Sequence, residues 1–181
     1  MALTRLGLTQ AINLATNVTG TLATGNGGTG ATSFTSGKVL QVQQGFLTSS
    51  FESTTSGSYS DVANLSVAIT PSSTSNYILV RSDFLYQIYG NSSTTTPEGG
   101  VRLLDNSDTV HARSQYLQYM SSNTEYEQGG GTLIRYYNSN TTSQITYNLS
   151  IYAGAGRFLL LGDGHTSNDK PTTITAMEIS A

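Results

Sequence analysis

From position 39 onward, apolar and polar residues alternate with a period of two, and the runs are cut by clusters of Ser, Thr, Asn, Gly and Pro. This pattern predicts antiparallel strands joined by turns, each with one face in a core and one in water. The clearest strand has Ile145, Tyr147, Leu149 and Ile151 on one face and Thr146, Asn148 and Ser150 on the other. Leu65, Val67 and Ile69 alternate with Ser66 and Ala68 before a turn over 71–76. Beyond it Ile78, Val80, Phe84, Tyr86 and Ile88 share a parity opposed by Arg81, Asp83 and Gln87. Shorter strands are expected over 39–47, 101–104, 110–120, 133–137, 157–161 and 173–179, with loops over 90–100, 121–125 and 162–171. No amphipathic helix longer than two turns is visible. About nine short strands in a stretch of this length predict an all-β domain, an antiparallel sandwich of jelly-roll type. A last strand so near the final residue is expected to pair inside a sheet. Such sandwiches are prone to leave an apolar flank exposed, and in a symmetric trimer that flank becomes the interface.

Upstream the alternation disappears. Residues 1–14 are ambiguous: Leu3 and Leu6 suit a helix, whereas Leu6, Leu8, Ile12 and Leu14 share a strand parity. Residues 15–38 form a glycine-rich arm in which Val18, Leu22 and Phe34 are the sizeable apolar side chains. Ordering such a segment costs about 1 to 2 kcal/mol per residue, which so few apolar groups cannot offset within one chain. Either the arm is a flexible linker or other copies order it, with Val18, Leu22 and Phe34 turned toward a shared axis. The expected organisation is therefore an attachment segment over 1–14, an arm over 15–38 and a β-sandwich head over 39–181.

Composition narrows the function. Charged residues are 10% of the chain, against about 25% in an average soluble protein, so hydroxyls and amides wet the surface, as in many extracellular and virion β-proteins. All eleven acids lie at or beyond Glu52, while residues 1–51 carry only Arg5 and Lys38. A mildly basic arm on an acidic head suits docking onto an acidic partner, although two charges in that stretch carry little weight. Nucleic acid is not an expected partner, because no basic patch is present. Membrane insertion is not expected either, since no apolar run reaches about 18 residues, and no leader peptide is evident. With no cysteine there is no disulfide, thiolate nucleophile or zinc ribbon.

No catalytic set emerges, and no enzyme activity, cofactor or metal is expected. His111 and His165 are far apart and belong to no metal-binding spacing. His165, with Asp163 and Asp169, lacks the regular oxygen spacing of a calcium loop and reads as a polar turn, as does the stretch 105–108. Glu125 and Glu127 share a parity that paired carboxylates for glycoside hydrolysis would need, but a solvated strand face is the simpler reading. The Asn-x-Ser/Thr sequons follow from the composition. The chain has eleven Tyr and no Trp, and Tyr116, Tyr119 and Tyr126 cluster around a long polar loop. Tyr suits binding to sugars or proteins, and it also suits half-buried strand positions.

Val18-Thr-Gly-Thr-Leu22 followed by Gly25-Asn-Gly-Gly-Thr-Gly30 resembles the VTGTL...NGGTG segment that precedes the distal domains of bacteriophage tail fibres. The stretches 37–41, 60–80 and 172–179 resemble a small β-domain of phage virion proteins. The resemblance covers most of the chain and is specific for a phage appendage, not for any finer assignment. It implies a homotrimer, with arms wound into a stalk and heads like the trimeric sandwiches of C1q and tumour necrosis factor. It also implies a virion location, attachment to other virion proteins through residues 1–14, and a host surface receptor such as a glycan met by Tyr116, Tyr119 and Tyr126. The chain is short for a long side fibre, which points to a short fibre or fibre tip. The alternative is a capsid decoration or head-fibre protein without a receptor role.

Overall fold

The period-two segments fold as β1 (Val39–Phe46), β2 (Phe51–Ser53), β3 (Ser60–Ile69), β4 (Tyr77–Tyr89), β5 (Glu98–Asp105), β6 (Val110–Ser114), β7 (Tyr126–Asn138), β8 (Ile145–Ala155), β9 (Arg157–Leu160) and β10 (Thr173–Ile179). The computed structural model describes residues 38–54, 57–89, 98–115, 117, 126–160, 162 and 172–181. The chain divides into two units, Met1–Gly37 and Lys38–Ala181. The first, which holds the expected attachment segment and the arm residues Val18, Leu22 and Phe34, lies outside the described residues.

All pairings are antiparallel, and the head is an all-β sandwich of jelly-roll type. One sheet has six strands, β1-β10-β4-β9-β2 with β7 on the other side of β4; its partner has four, in the order β3-β8-β5-β6. β4 organises the larger sheet. One edge of it pairs with β10 over Tyr77–Asp83 and then with β9 over Tyr86–Tyr89, while the other pairs with β7 along its whole length. The inward parity predicted for β4 and β8 is the buried one: Ile78, Val80, Phe84, Tyr86 and Ile88 meet Tyr147, Leu149 and Ile151 in the core. The final strand, β10, lies between β1 and β4, so the last residues are held by two neighbours.

Five strands differ from the expectation, three of them for a local reason that the structure shows. β3 starts at Ser60, because a register shift between Asp61 and Ser66, with Asn64 at φ 62°, lets Val62 and Leu65 both face the core. Residues inserted in this way hide the alternation. β5 includes Gly99 and Gly100, and β7 includes Gly129, Gly130 and Gly131; in both strands the missing side chains make room for aromatic rings. A Cβ on Gly129 would lie 2.5 Å from the Tyr86 hydroxyl, and one on Gly131 2.6 Å from the Phe84 ring. β6 ends at Ser114, short of the expected 120. β2, only three residues long, was not expected at all.

Side chains close both flanks of the sandwich. At β1, Gly45 approaches β3 so tightly that a Cβ would sit 2.3 Å from the Ser66 carbonyl oxygen. Nearby, Gln41 Nε2 donates to the Thr70 carbonyl at 2.7 Å. On the other flank the hydroxyls of Tyr137 on β7 and Tyr147 on β8 share a short hydrogen bond. The His111 ring stands 4.7 Å from that of Tyr137, and its Nε2 lies 3.0 Å from Asp105 Oδ2. Asp105 Oδ1 also accepts from the backbone N–H groups of Ser107 and Thr109, which builds the expected turn over 105–108. Burial pushes the Asp105 carboxyl up, but these donors outweigh it and hold its pKa below the usual range.

At one end of the sandwich Glu178 is buried, 1% exposed. Its oxygens accept from Gln41 Nε2 at 2.5 Å, Asn76 Nδ2 at 2.6 Å and both the N–H and hydroxyl of Ser72 at 2.7 Å. Burial opposes ionisation, yet these four donors prevail and bring the pKa down from 4.5 to about 2. A depressed carboxyl pKa stabilises the fold fully above its unfolded value, and that contribution is lost as pH falls through the folded one. Urea titrations should therefore show stability falling between pH 4.5 and about 2, with about 3 kcal/mol of the loss due to Glu178. Glu178→Gln should be less stable at neutral pH and lack that part of the acid dependence; an unchanged acid profile would contradict the assignment.

Candidate assembly surface

The outward parity of the six-stranded sheet is where sequence and solvent disagree. In an antiparallel sheet with one wet face, outward positions are ordinarily polar. Here the cross-strand register lines up Val42, Met177, Leu79 and Tyr136 in one row across β1, β10, β4 and β7. The next row toward the Glu178 end holds Val39, Ile179, Tyr77 and Asn138. On the other side Ile134 lies opposite Arg81, and Phe46 opposite Thr173. Val39, Val42, Phe46, Ile134 and Tyr136 are each between 52 and 56% exposed. The Tyr77 and Tyr136 rings stack at 4.9 Å with an 11° interplanar angle, which extends a flat apolar surface from β4 onto β7.

This band contains a self-neutralised charge pair. Arg81 Nη2 lies 2.8 Å from Asp83 Oδ1, which also accepts from Thr132 Oγ1 at 2.6 Å. Partial burial pushes the Asp83 carboxyl up, and the Arg81 and Thr132 hydrogen bonds more than compensate, so its pKa lies below the usual value. A face with no net charge does not repel a copy of itself, whereas an unpaired charge at its centre would. Contiguous exposed apolar patches mark contact surfaces more often than isolated apolar residues do.

Of the side chains proposed for receptor contact, Tyr116 and Tyr119 lie outside the described residues, and Tyr126 is the first residue of β7, its backbone opposite Tyr89. His165, Asp163, Asp169 and Glu125 also lie outside. Glu127 is not on a solvated face as expected: it shares the parity of Gly129, Gly131 and Leu133, and its Oε2 is buried without a hydrogen-bond partner. Gln87, expected to face outward into water, is buried between β7 and β9 and accepts from the Tyr89 hydroxyl at 2.6 Å. Among the described residues no cluster of three or more His, Asp or Glu side chains could hold a metal ion. The sequence predicted an apolar flank without locating it. A signal was present, because β4, β7 and β10 carry apolar residues at both parities, as in Tyr77-Ile-Leu-Val80 and Ala176-Met177 with Ile179, the composition of strands covered on both faces.

No protein-family model matches the chain, and no curated protein matches it. Solved structures do. A mutant VP2 protein of infectious bursal disease virus in derived T=1 particles aligns with 14% identity and a TM-score of 0.37, over 78% of this chain and 36% of VP2. The T13 particle of the same virus aligns over 95% of this chain and 40% of the viral chain, with 13% identity and a TM-score of 0.36. An arabinose-bound α-L-arabinofuranosidase aligns over 71% of this chain and 19% of the enzyme, with 18% identity and a TM-score of 0.35. The chain thus spans two fifths or less of the length of these proteins. Such scores join a viral shell protein and a glycosidase through strand packing alone, and they assign neither a family nor an activity.

Proposed function

We propose that this chain is a structural protein of a bacteriophage virion, a short trimeric tail fibre or fibre tip, whose heads associate through the outer face of the six-stranded sheet. The observation that carries this reading is the apolar band formed by Val42, Met177, Leu79 and Tyr136 with Val39, Ile179 and Tyr77. Water is a poor partner for such a face, and a second and third copy offer the same chemistry in a closed symmetric arrangement. The arm motif at 18–30 supports the phage assignment by its resemblance to tail fibres. In this reading residues 1–14 attach to another virion protein, Val18, Leu22 and Phe34 of three copies share an axis, and the heads meet the host surface. Three copies multiply weak contacts into useful avidity.

The decisive experiment is electron microscopy of intact particles with this chain labelled. Density at the tail, in threes, supports the reading; copies at capsid vertices or capsomer centres would make it a capsid decoration protein instead. Light scattering of the purified full chain at micromolar concentration should give three times the monomer mass, and a monomer there would remove the physical support for trimeric heads.

A further inference from the structure

The other sheet has an outward face of a different character. Across β3, β8, β5 and β6 the register aligns Asp61, Ser150, Arg102 and Arg113 in a single row. Neighbouring strands are about 4.8 Å apart, so the row spans about 14 Å. Arg102 and Arg113 are direct cross-strand partners, an arrangement of like charges that weakens a sheet unless something compensates it. Nothing in the described residues does so, because the ion pairs there are Arg81–Asp83, His111–Asp105 and Arg157–Glu52. The nearest acid in the row, Asp61, is engaged by the Ser150 hydroxyl.

Arg102 is nonetheless held in place. Its guanidinium carbon stands 4.3 Å over the Tyr59 ring, and Tyr59 packs on Tyr152 with centroids 4.9 Å apart. The Tyr59 hydroxyl and Arg102 Nε are both buried without a hydrogen-bond partner, so the outer nitrogens of the guanidinium are the ones left for a ligand. A pinned guanidinium beside a second one, both lacking an acid, is a preorganised receiver for a carboxylate, which Arg binds through paired hydrogen bonds. At the other end of the row Ser150 is fully buried and donates to Asp61, whose exposed carboxylate accepts hydrogen bonds from hydroxyl groups.

We propose that this face binds an acidic saccharide, with the sugar carboxylate at Arg102 and Arg113 and sugar hydroxyls directed to Asp61. The inference rests on the reading of the head as a host-contacting module and supplies the ligand class for it. A polypeptide rich in Glu is the competing anion, but it brings no hydroxyl for Asp61 to accept from and sets further carboxylates against that one.

The test is titration calorimetry of the full chain with a galacturonic acid oligosaccharide, the same oligosaccharide with its carboxyls reduced to alcohols, and poly-glutamate. Binding of the uronate alone is expected. Arg113→Gln and Arg102→Lys should each weaken it about tenfold or more without lowering the melting temperature, whereas Arg135→Gln on the opposite sheet should leave binding unchanged. No uronate binding, equal binding of the reduced sugar, tighter binding of poly-glutamate, or indifference to both row substitutions would each overturn the proposal. Light scattering of the same sample keeps the two ideas separable: a trimer that ignores uronate defeats only the ligand assignment, and a monomer that binds it defeats only the assembly.

Discussion

Val42→Glu combined with Tyr136→Glu should convert the associated protein to a monomer at micromolar concentration while the head stays folded. Both positions are exposed in the single chain, so substitution there removes little monomer packing beyond the Tyr77–Tyr136 stack, worth about 1 kcal/mol. In an assembly the same carboxylates would be desolvated against apolar neighbours and repeated in every copy, at a cost of several kcal/mol per contact. The expected weakening of self-association is therefore about a hundredfold or more, read as a shift of the light-scattering mass toward the monomer value. Circular dichroism should retain its strand signal. An unchanged mass would mean that the outer face of the six-stranded sheet is not where copies meet.

The largest effect on folding is expected from Gly99→Ala. A Cβ at this position would lie 1.9 Å from Cδ2 of Phe158, whose side chain is fully buried. That ring is stacked on Tyr86 at 5.4 Å, so it cannot shift without disturbing its neighbour in the core. Overpacking of this severity should cost about 3 kcal/mol, measured as a lower urea midpoint with an unchanged slope. Phe158→Leu alone should also destabilise, by leaving a cavity. In the double variant the costs should fall well short of their sum, since the smaller side chain opens space for the new methyl. Simple additivity would show that the close approach of Gly99 to Phe158 is not the source of the loss.

These positions also explain what the sequence could and could not disclose. Where one face is core and the other water, as in Ile145–Ile151, alternation identifies the strand and its inward side chains. It fails where inserted residues reset the parity, as between Val62 and Leu65. It fails again where glycine serves as the partner of an aromatic ring: Gly129 and Gly131 look like a loop until Tyr86 and Phe84 are seen to occupy the space above them. Gly99 and Gly100 are the same case beside Phe158 and Tyr152. For the assembly face, the apolar outward residues were readable as composition, but their joining into one band depends on the register of β1, β10, β4 and β7. The arginine row is less legible still. Arg102 and Arg113 are separated by a turn and a register shift between Leu103 and Leu104, and only strand pairing places them opposite each other.

The connection between β1 and β10 bears on how the head would behave under mechanical load. The chain enters at Lys38, whose carbonyl accepts from the Ser180 N–H at 2.7 Å, and continues directly into β1, paired with β10 from Val39–Ile179 to Phe46–Thr173. The strand ends at Tyr89, Glu98 and Tyr126 lie at the opposite end of the sheets. Tension between those two ends therefore runs along β1, at right angles to the hydrogen bonds of an antiparallel pair. The ladder is sheared as a whole instead of being peeled open one bond at a time. A head tethered through Lys38 and pulled from its far end would resist as a clasp does, with every rung sharing the strain until all give way together.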